Sequence, residues 1–322
     1  MIYVDRFAGG NSNYYWLESF KKFVPQVENI QIGIGSEKIV KRILEVKPDH
    51  IHFGGSVKRS HLFPIIHLEK IRKELDDVRI TYFYGDGYYF TYQREIVKYI
   101  DKLLISHMPS DLKGYSNVEF VPCATSLDSY KIEDTILYEV SFIGNNYSNE
   151  RVDDLKRVSK LCDLTIFGNG WKGLGLKCVG TLKYEDFPEV VSKSLFCLGS
   201  TSYTPCEWGG EGTCELGETI SLESKLCCDE KCANYKSKYG YFSNRVMNLC
   251  ACSGCVLLYY SEGLEEVFKD GVDTLFFRNL EELKDKIDYF KKNIDDVKMI
   301  RKNAYKISRK YTFDNLVKRL LI

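Results

Sequence analysis

In the first part of the chain, short apolar runs alternate with segments whose apolar residues recur at helical spacing. The apolar runs predict strands at Met1–Asp5, His50–Phe53, Ile80–Tyr84, Lys102–Ile105 and Val118–Val121. The helical spacing predicts helices at Tyr15–Phe23, Ile39–Val46, Ile65–Leu75 and Ile96–Ile100. Alternation of this kind is typical of a mainly parallel sheet that is covered by helices.

The second part of the chain repeats this rhythm after a polar segment, Asp128 to Thr135. Strands are predicted at Tyr138–Ile143, Leu164–Phe167, Leu195–Leu198, Val256–Tyr260 and Leu275–Phe277. Helices are predicted at Glu150–Cys162, Tyr184–Ser192, Asn244–Cys250, Leu280–Lys291 and, with a break near Tyr311, Asp296–Leu321. We therefore expect an α/β protein with two doubly wound, Rossmann-like domains, residues 1–134 and 135–305, and a closing helix at 306–322.

Several predicted strands end in glycine, at positions 9–10, 54–55, 85–87, 144 and 168–170. Ligands of doubly wound sheets bind beyond the carboxyl ends of the strands, often between domains. Glycine at these ends lets backbone N–H groups approach a ligand closely, although any one of them is also explained as an ordinary tight turn. No strict G-x-G-x-x-G or Walker pattern occurs, so a dinucleotide or P-loop site is not favoured.

Composition excludes several classes of protein. The chain has 322 residues, of which 44% are hydrophobic and 28% charged, as is typical of globular and not of disordered or fibrous proteins. Its 45 basic and 45 acidic residues balance, which excludes a generally basic nucleic-acid surface but not a local basic patch. No apolar run reaches the roughly 20 residues of a membrane helix. Because the amino terminus also lacks a signal-peptide pattern, we expect a cytoplasmic protein, in the host cytoplasm if the source is viral.

Cysteine is concentrated in one region of the second domain. The chain has 12 Cys, and most of them fall between 206 and 255, which in a reducing compartment favours a metal over disulfides. A Cys-rich insertion at about 204–238 is predicted to hold a structural zinc ion through four thiolates: Cys206, Cys214, Cys232 and either Cys227 or Cys228. An iron–sulfur cluster and free or disulfide-linked thiols are the alternatives. We expect no metal in the chemistry itself.

Five segments of the second half carry a family resemblance. They are Val140–Asn145 (VSFIGN), Leu164–Trp171 (LTIFGNGW), Ser243–Val246 (SNRV), Ser253–Leu258 (SGCVLL) and Glu262–Phe268 (EGLEEVF). In order and spacing they resemble the carboxyl domain of the CgeB-like glycosyltransferases of the GT-B superfamily, a domain similar to the glycosyltransferase family 1 domains. The resemblance implies two Rossmann-like domains that face a cleft. It also implies transfer of a sugar, in the manner of a hexosyltransferase, from a nucleotide sugar, most simply a UDP-sugar, to an acceptor hydroxyl.

The resemblance and the chemistry of the leaving group indicate which residues bind the donor. A nucleoside diphosphate gains charge as the glycosidic bond breaks, so backbone N–H groups, a helix N-terminus and fixed cations are needed. Arg245 at a predicted helix start is the candidate cation, unless it serves a surface salt bridge, and Glu262 is the candidate for donor hydroxyls. The complete predicted donor set is Gly144, Asn145, Gly168, Gly170, Trp171, Ser243, Asn244, Arg245, Asn248, Glu262 and Gly263.

The acceptor is expected on the amino-terminal domain. An inverting enzyme needs a base for the acceptor hydroxyl, and Asp86, flanked by glycines after a predicted strand, is the first candidate, with His52 as the second. An Asp in a tight turn and a structural His are the alternative roles. Tyr88 and Tyr89 can stack on a sugar ring or a base, and Gly10 lies at another predicted strand end.

Acceptor, stereochemistry and oligomeric state stay open at this point. Glu262 and Glu266 do not reproduce the seven-residue spacing between acids of many retaining GT-B enzymes, so inversion and retention both remain. The acceptor is a glycan, a protein, a small molecule or a hydroxymethylated DNA base, although the balanced charge does not support DNA. The alternative functions are a non-catalytic GT-B binding module with a zinc loop and a sugar-nucleotide epimerase, which would convert the donor without an acceptor.

Overall fold

The computed structural model describes residues 1–5, 12–54, 63–85, 90–106, 108–109, 112–146, 149–199, 212–213, 219–220, 238–239 and 244–322. The chain forms two compact units. The first unit comprises Met1–Ala124, Lys236–Gly240 and Thr312–Ile322, and the second comprises Thr125–Tyr235 and Tyr241–Tyr311. The division therefore falls at Ala124, earlier than the expected 134, and the expected closing segment 306–322 is shared between the two units.

The first unit is built on a six-stranded parallel sheet with the strand order β2-β1-β3-β4-β5-β6. Its strands are β1 (Ile2–Asp5), β2 (Glu28–Gln31), β3 (His50–Phe53), β4 (Arg79–Tyr84), β5 (Lys102–Ile105) and β6 (Val118–Phe120). Its helices include α1 (Ser12–Phe23), α2 (Ser36–Val46), α3 (Ile65–Glu74) and α4 (Phe90–Ile96), with 3₁₀ turns at Ile32–Ile34 and Val97–Tyr99. Met108–Pro109 pairs antiparallel with Lys238–Tyr239 at the far end of the Cys-rich stretch.

Both faces of this sheet are covered, as its continuous apolar strands predict. On one face, α2 and α3 bury Ile39, Ile43, Leu68 and Ile71 at helical spacing against the strands. On the other face, Trp16 of α1 packs with its ring centroid 4.6 Å from that of Phe83. This burial of apolar side chains on both sides holds the ends of the described strands in place.

The second unit is built on another six-stranded parallel sheet, with the order β9-β8-β7-β10-β11-β12. Its strands are β7 (Tyr138–Ile143), β8 (Leu164–Phe167), β9 (Cys178–Gly180), β10 (Ser194–Leu198), β11 (Val256–Tyr259) and β12 (Leu275–Phe277). Its helices include α5 (Asn149–Val158), α6 (Phe187–Ser192), α7 (Asn244–Ala251), α8 (Leu280–Lys292) and α9 (Ile294–Ser308). The two sheets confirm the prediction of two doubly wound units.

The carboxyl-terminal tail breaks at the predicted point. After α9, a 3₁₀ turn at Arg309–Tyr311 leads to α10 (Phe313–Leu321), whose first residue is preceded by the N-cap Thr312. Helix α10 returns to the first unit, where Phe313 packs edge-on to Trp16 at a centroid distance of 5.4 Å. Ser19 and Lys22 of α1 bond to Asp314 at 2.6 and 2.9 Å. Contacts with α1 therefore hold α10 in the first unit.

A buried arginine fixes the turn that follows α7. Arg301 of α9 is 2% exposed and donates from Nε to Ser253 O at 2.7 Å and from Nη2 to Ser192 O at 2.9 Å. Ser253 is fully buried in a left-handed backbone conformation, with φ of 59°, and a buried carbonyl needs such a partner. The nearby thiols of Cys197, Cys250 and Cys255 are also buried, and burial raises the pKa of each. Within the described ranges, no helix is both long and apolar enough to cross a bilayer.

Candidate donor site at the centre of the second sheet

The strand order of the second sheet reverses between β7 and β10. Chain connections from β7 run outward to β8 and β9 on one side, and from β10 outward to β11 and β12 on the other. A crevice forms at such a reversal beyond the carboxyl ends of the strands, and ligands of doubly wound sheets bind there. The residues directly after these two strands are Gly144 and Gly199.

Arg245, the second residue of α7, lies across this reversal. A Cβ at position 144 would sit 2.5 Å from its Nη2 and 2.9 Å from its Cζ, so only glycine leaves room for the guanidinium. Nη1 of Arg245 donates to Gly199 O at 3.1 Å, and Cζ lies 4.3 Å from the ring centroid of Phe142. Arg245 and Gly144 are both in the predicted donor set, and this contact places a half-buried positive charge at the crevice.

Two loops beside Arg245 are bonded to each other. Asn169 N donates to Asn145 Oδ1 at 2.8 Å, and Asn146 N donates to Asn169 O at 2.9 Å. Asn146 Nδ2 also donates to Gly170 O at 3.1 Å. The loops after β7 and β8 therefore hold one another in place, and the predicted donor residues Asn145 and Gly170 take part in that framework.

Gly168 and Trp171 support the loops after β7 and β8 through close contacts with Gly144 O. Gly168 has a φ of 145°, and a Cβ there would lie 2.2 Å from Gly144 O, so glycine is required. Trp171 is 1% exposed, lies edge-on to Phe142 with centroids 5.9 Å apart, and donates from Nε1 to Gly144 O at 2.7 Å. The G-x-G-W pattern was expected to supply donor contacts, but the indole of Trp171 faces the protein interior and supports the loop.

Helix α7 carries two further predicted donor residues. Asn244, its first residue, is exposed at the N-terminus, where the helix dipole favours an anion. Asn248 is half-buried, and its Oδ1 accepts a hydrogen bond from Thr125 Oγ1 at 2.8 Å. The side-chain oxygen of Asn248 is thus engaged within the second unit.

The loop after β11 is braced by Glu265. This acid accepts hydrogen bonds from Gly263 N at 3.0 Å and from the hydroxyl of Tyr260, and the Arg278 guanidinium lies over the Tyr260 ring at 4.2 Å from its centroid. Burial alone would raise the pKa of Glu265, but these hydrogen bonds lower it. Glu262 projects from the same loop and is exposed, and Gly263 adopts a left-handed conformation, with φ of 91°.

The first sheet has its own reversal, between β1 and β3, and a carboxylate lies there. Asp5, the last residue of β1, is 2% exposed and accepts a hydrogen bond from Tyr3 Oη at 2.8 Å. A Cβ on Gly54, directly after β3, would lie 1.7 Å from Asp5 Oδ2. Burial, followed by the charge of Asp5, raises the pKa of Tyr3 well above its usual value, so this hydroxyl stays a donor. The sequence signals for this site were an acid, Asp5, at the end of one predicted apolar strand and the pair Gly54-Gly55 after the predicted strand His50–Phe53.

His52, the second candidate base, is fully buried among aromatic rings. Its ring stacks on Tyr3 at 5.4 Å and lies 4.7 Å from Phe20, while Nδ1 is 2.9 Å from Thr81 Oγ1. Burial, with a smaller contribution from His50, holds the pKa of His52 well below its usual value. The ring is therefore a neutral part of the core, and this placement does not favour a role as the base.

Several predicted site residues lie outside the described residues. They are the candidate base, the two stacking tyrosines, one strand-end glycine, one helix-start serine and the five cysteines: Asp86, Tyr88, Tyr89, Gly10, Ser243, Cys206, Cys214, Cys227, Cys228 and Cys232. Among the residues that are described, no three His, Cys, Asp or Glu side chains form a group suited to a metal ion.

Comparison with solved structures shows the fold. HepE from Anabaena, solved with UDP and glucose, has a TM-score of 0.60 at 11% identity, with 99% of this chain and 98% of HepE covered. Sucrose-phosphate synthase from Thermosynechococcus elongatus gives 0.62 at 11% identity, with coverage of 99% and 98%. An alpha-glucosyltransferase solved with UDP and a 13-mer DNA gives 0.54 at 12%, with coverage of 100% and 99%.

Comparison with sequences shows the family. None of the curated proteins matches this chain. The family model described as glycosyl transferase-like matches residues 149–322, more than half of the chain and the part that carries Arg245, Glu262 and the loop after β8. Each of the two units has a doubly wound, Rossmann-like sheet, and with this match the chain belongs to the glycosyl transferase-like family and is a glycosyltransferase.

Proposed function

We propose that this protein transfers a sugar from a UDP-sugar to an acceptor hydroxyl, with the donor diphosphate bound at Arg245. The observation that carries the proposal is the position of Arg245 across the strand reversal, against Gly144 and bonded to Gly199 O at 3.1 Å. Support for uridine as the nucleoside comes from HepE and from the alpha-glucosyltransferase, both solved with UDP.

The chemistry of the leaving group explains why a guanidinium belongs at this place. UDP gains negative charge as the glycosidic bond breaks, and a fixed cation that needs no reorganisation stabilises that charge. The planar guanidinium of Arg245 can present two parallel N–H donors to phosphate oxygens, and the N-terminus of α7 adds its positive dipole end. Phe142 below the guanidinium and the Gly199 carbonyl fix its orientation before the donor arrives.

The donor hydroxyls are assigned to the loop after β11. Glu262 is exposed there, whereas the carboxylate of Glu265 accepts hydrogen bonds from Gly263 N and the Tyr260 hydroxyl, so Glu262 is assigned to the donor hydroxyls. A carboxylate accepts hydrogen bonds from two adjacent ribose hydroxyls. Replacement Glu262→Gln is expected to raise the KM for the donor and to leave UDP binding detectable.

The acceptor is assigned to the first unit. Asp5 is placed at the reversal of that sheet, where its carboxylate would accept a hydrogen bond from the acceptor hydroxyl. Asp86 keeps its predicted role as a base candidate, together with Gly10, Tyr88 and Tyr89 as acceptor contacts. A glycan, a protein and a small molecule are retained as acceptors, because the chain has no net charge that would favour DNA. A modified DNA base is retained as well, because one structural neighbour was solved with DNA.

Two finer assignments accompany this proposal. The S-x-R start of α7 supports the CgeB-like branch of the family. The five cysteines of the insertion are assigned a structural zinc ion, which metal analysis of the purified protein tests directly: about one zinc per chain is expected, with loss of the metal on replacement of Cys206 and Cys214 by Ser. We assign no step of the transfer to a metal.

The experiment that tests the proposed function is a thermal-shift screen with UDP-, GDP-, ADP-, CDP- and TDP-sugars, run on the wild type and on Arg245→Ala. Ligands that bind only the folded state raise the unfolding midpoint. We expect a rise with UDP-sugars that is lost in the variant. If the donor binds but stays unaltered with every acceptor class, the binding module replaces the transferase. If the donor is converted without an acceptor, the epimerase replaces it.

A further inference from the structure

Two of the places where the chain crosses between the units are bonded to each other. Thr125 is the first residue of the second unit, and Tyr311 is the last residue before the tail returns to the first unit. Thr125 N donates to Tyr311 O at 3.1 Å, and Thr125 is 2% exposed. The entry at Thr125 and the exit at Tyr311 are therefore joined by a backbone hydrogen bond within the second unit.

The same place is bonded to the helix that carries Arg245. Thr125 Oγ1 donates to Asn248 Oδ1 at 2.8 Å, and it accepts from Leu127 N at 3.1 Å. Four residues on, Ser129 N donates to Ala251 O, at the last residue of α7, at 3.0 Å. Residues 125–129, the crossing segment, are thus attached to α7 by one side chain and by one backbone carbonyl.

Asn248 and Arg245 lie on neighbouring parts of one helix face. They are three residues apart in α7, a spacing at which side chains of a helix are neighbours. Arg245 reaches the strand reversal, and Asn248 reaches the crossing segment. A shift of α7 that moves one of these side chains must move the other, since an eight-residue helix is a rigid element.

The crossing segment is held on its other side as well. Tyr305 Oη donates to Asp128 Oδ1 at 2.6 Å, and Arg309 forms an ion pair with Asp128 at 3.1 Å. Both partners come from α9 and the turn after it. The crossing segment is therefore fixed between α9 and α7, and of the two attachments the one through α7 leads to the candidate donor site.

We propose that Asn248 is a positioning residue that couples occupation of the donor site to the crossing segment, residues 125–129, with which the chain enters the second unit. The proposal rests on the proposed function for the role of Arg245. When UDP binds the guanidinium, α7 is held in one position, and the Asn248–Thr125 hydrogen bond transmits this constraint to the crossing segment. Asn248 itself needs no contact with the donor.

The test is hydrogen–deuterium exchange at residues 125–129 with and without UDP, on the full-length protein. In the wild type, UDP is expected to slow exchange there, and in Asn248→Ala and Thr125→Val this slowing is expected to be lost. Thr125→Val keeps the shape of the side chain and removes only the hydroxyl, so it remains informative if Asn248→Ala folds poorly. Asn248→Asp keeps an oxygen that accepts from Thr125 and is expected to restore the slowing.

Kinetics provide the second readout. Asn248→Ala and Thr125→Val are each expected to lower kcat about 5-fold to 10-fold, a change of the size usual for coupling between sites. The KM for the donor is expected to change by less than about 2-fold. Asn303→Ala is the matched control, because this half-buried Asn of α9 donates to Val272 O at 3.1 Å and has no part in the bonds of the crossing segment described above. It is expected to behave like the wild type in both measurements.

The outcomes separate this inference from the proposed function. If UDP binds the wild type but leaves exchange at 125–129 unchanged, the coupling is wrong and the donor site stands. If UDP still slows exchange in Thr125→Val and Asn248→Ala as it does in the wild type, the assignment to Asn248 is wrong. If UDP does not bind the wild type, both are wrong.

Discussion

The two sheets place opposite charges at equivalent points. In the first unit, Gly54 leaves room for the carboxylate of Asp5, and in the second, Gly144 leaves room for the guanidinium of Arg245. Each charged group lies at the reversal of strand order, where ligands of doubly wound sheets bind. In both units, a glycine near a central strand thus makes room for a charged side chain. The carboxylate of Asp5 suits an acceptor hydroxyl, and the guanidinium of Arg245 suits a diphosphate.

The two charged groups also differ in their freedom. Asp5 has a short side chain that is buried and fixed by Tyr3, whereas Arg245 is half-buried and joined to its surroundings at the end of a long side chain. A change around Asp5 therefore affects the packing of the first unit. A change around Arg245 affects the site more than the fold.

The largest effect is expected from Arg245. Arg245→Ala removes the fixed cation and is expected to lower kcat about 10²-fold to 10³-fold, as loss of one preorganised charge-stabilising donor does. Arg245→Lys keeps a charge but not the two parallel donors, so it is expected to recover only part of the activity. Steady-state kinetics measure both, with circular dichroism as the control for folding. Equal activity of Arg245→Ala and the wild type would show that Arg245 does not take part in the donor site.

Asp5 comes next. Asp5→Asn preserves the shape of the side chain and removes the charge, and it is expected to lower kcat about 10²-fold while the KM for the donor stays within about 3-fold. Asp49→Asn is the matched control, since Asp49 is exposed in the same unit and precedes β3 at the opposite edge of the sheet. If the two variants have the same kcat, Asp5 has a structural role only.

The two glycines offer a direct contrast between the units. Gly144→Ala is expected to displace the flexible Arg245 side chain, so that UDP binding falls while the free energy of unfolding changes little. Gly54→Ala meets the Asp5 carboxylate at 1.7 Å and is expected to cost about 1–3 kcal/mol of stability, with UDP binding retained. Denaturant unfolding and UDP titration of both variants test this pair. The opposite pattern, with UDP binding lost in Gly54→Ala, would contradict the assignment of the donor to the second unit.

The smallest effect is expected in the dependence of stability on pH. Burial is the main cause that lowers the pKa of His50 from 6.5 to about 4; the charges of Arg79 and the amino terminus add to this shift, and Asp101 opposes it. Burial also lowers the pKa of His52. Because the unfolded chain binds these protons more readily, stability is retained above the unfolded pKa and is lost as pH falls from about 6.5 toward about 4. All five His lie in the first 107 residues, so the first unit is expected to lose stability first.

Melting at about pH 7.5 and about pH 5 measures this loss, and the replacement His50→Asn isolates its source. The variant is expected to show a smaller drop in the unfolding midpoint between the two pH values than the wild type. An equal drop in both proteins would assign the acid sensitivity to other groups.

The sequence predicted the central strands of both sheets, because strands buried on both faces consist of continuous apolar residues. It missed the edge strands β2 and β9. In β2, with the sequence ENIQ, only Ile30 is buried, and the strand is held by its parallel backbone pairing with β1. A polar strand that depends on its neighbours leaves no pattern of its own.

The site residues of the second unit remain predictions. Gly144 and Arg245 were named from two separate segments of the family resemblance, and the structure brings them into contact. Asp5 was missed because its position becomes meaningful only when the strand order is known. Asn248 was named from its helical spacing and Trp171 from the G-x-G-W segment, and neither signal says that Thr125 and Phe142 are their neighbours. The early end of the first unit at Ala124 also depends on such contacts.

The most direct test of the donor site is calorimetric titration of UDP into the wild type and Arg245→Ala. Arg157→Ala is the matched control, because Arg157 is an exposed arginine on α5 of the same unit whose ion pair joins it to Asp154 at 3.2 Å. We expect UDP to bind the wild type and the control with affinities within about 2-fold of each other, and to bind Arg245→Ala at least about 30-fold more weakly, in line with loss of one partner of a charge pair. Equal affinity of UDP for all three proteins would contradict the assignment of the diphosphate to Arg245.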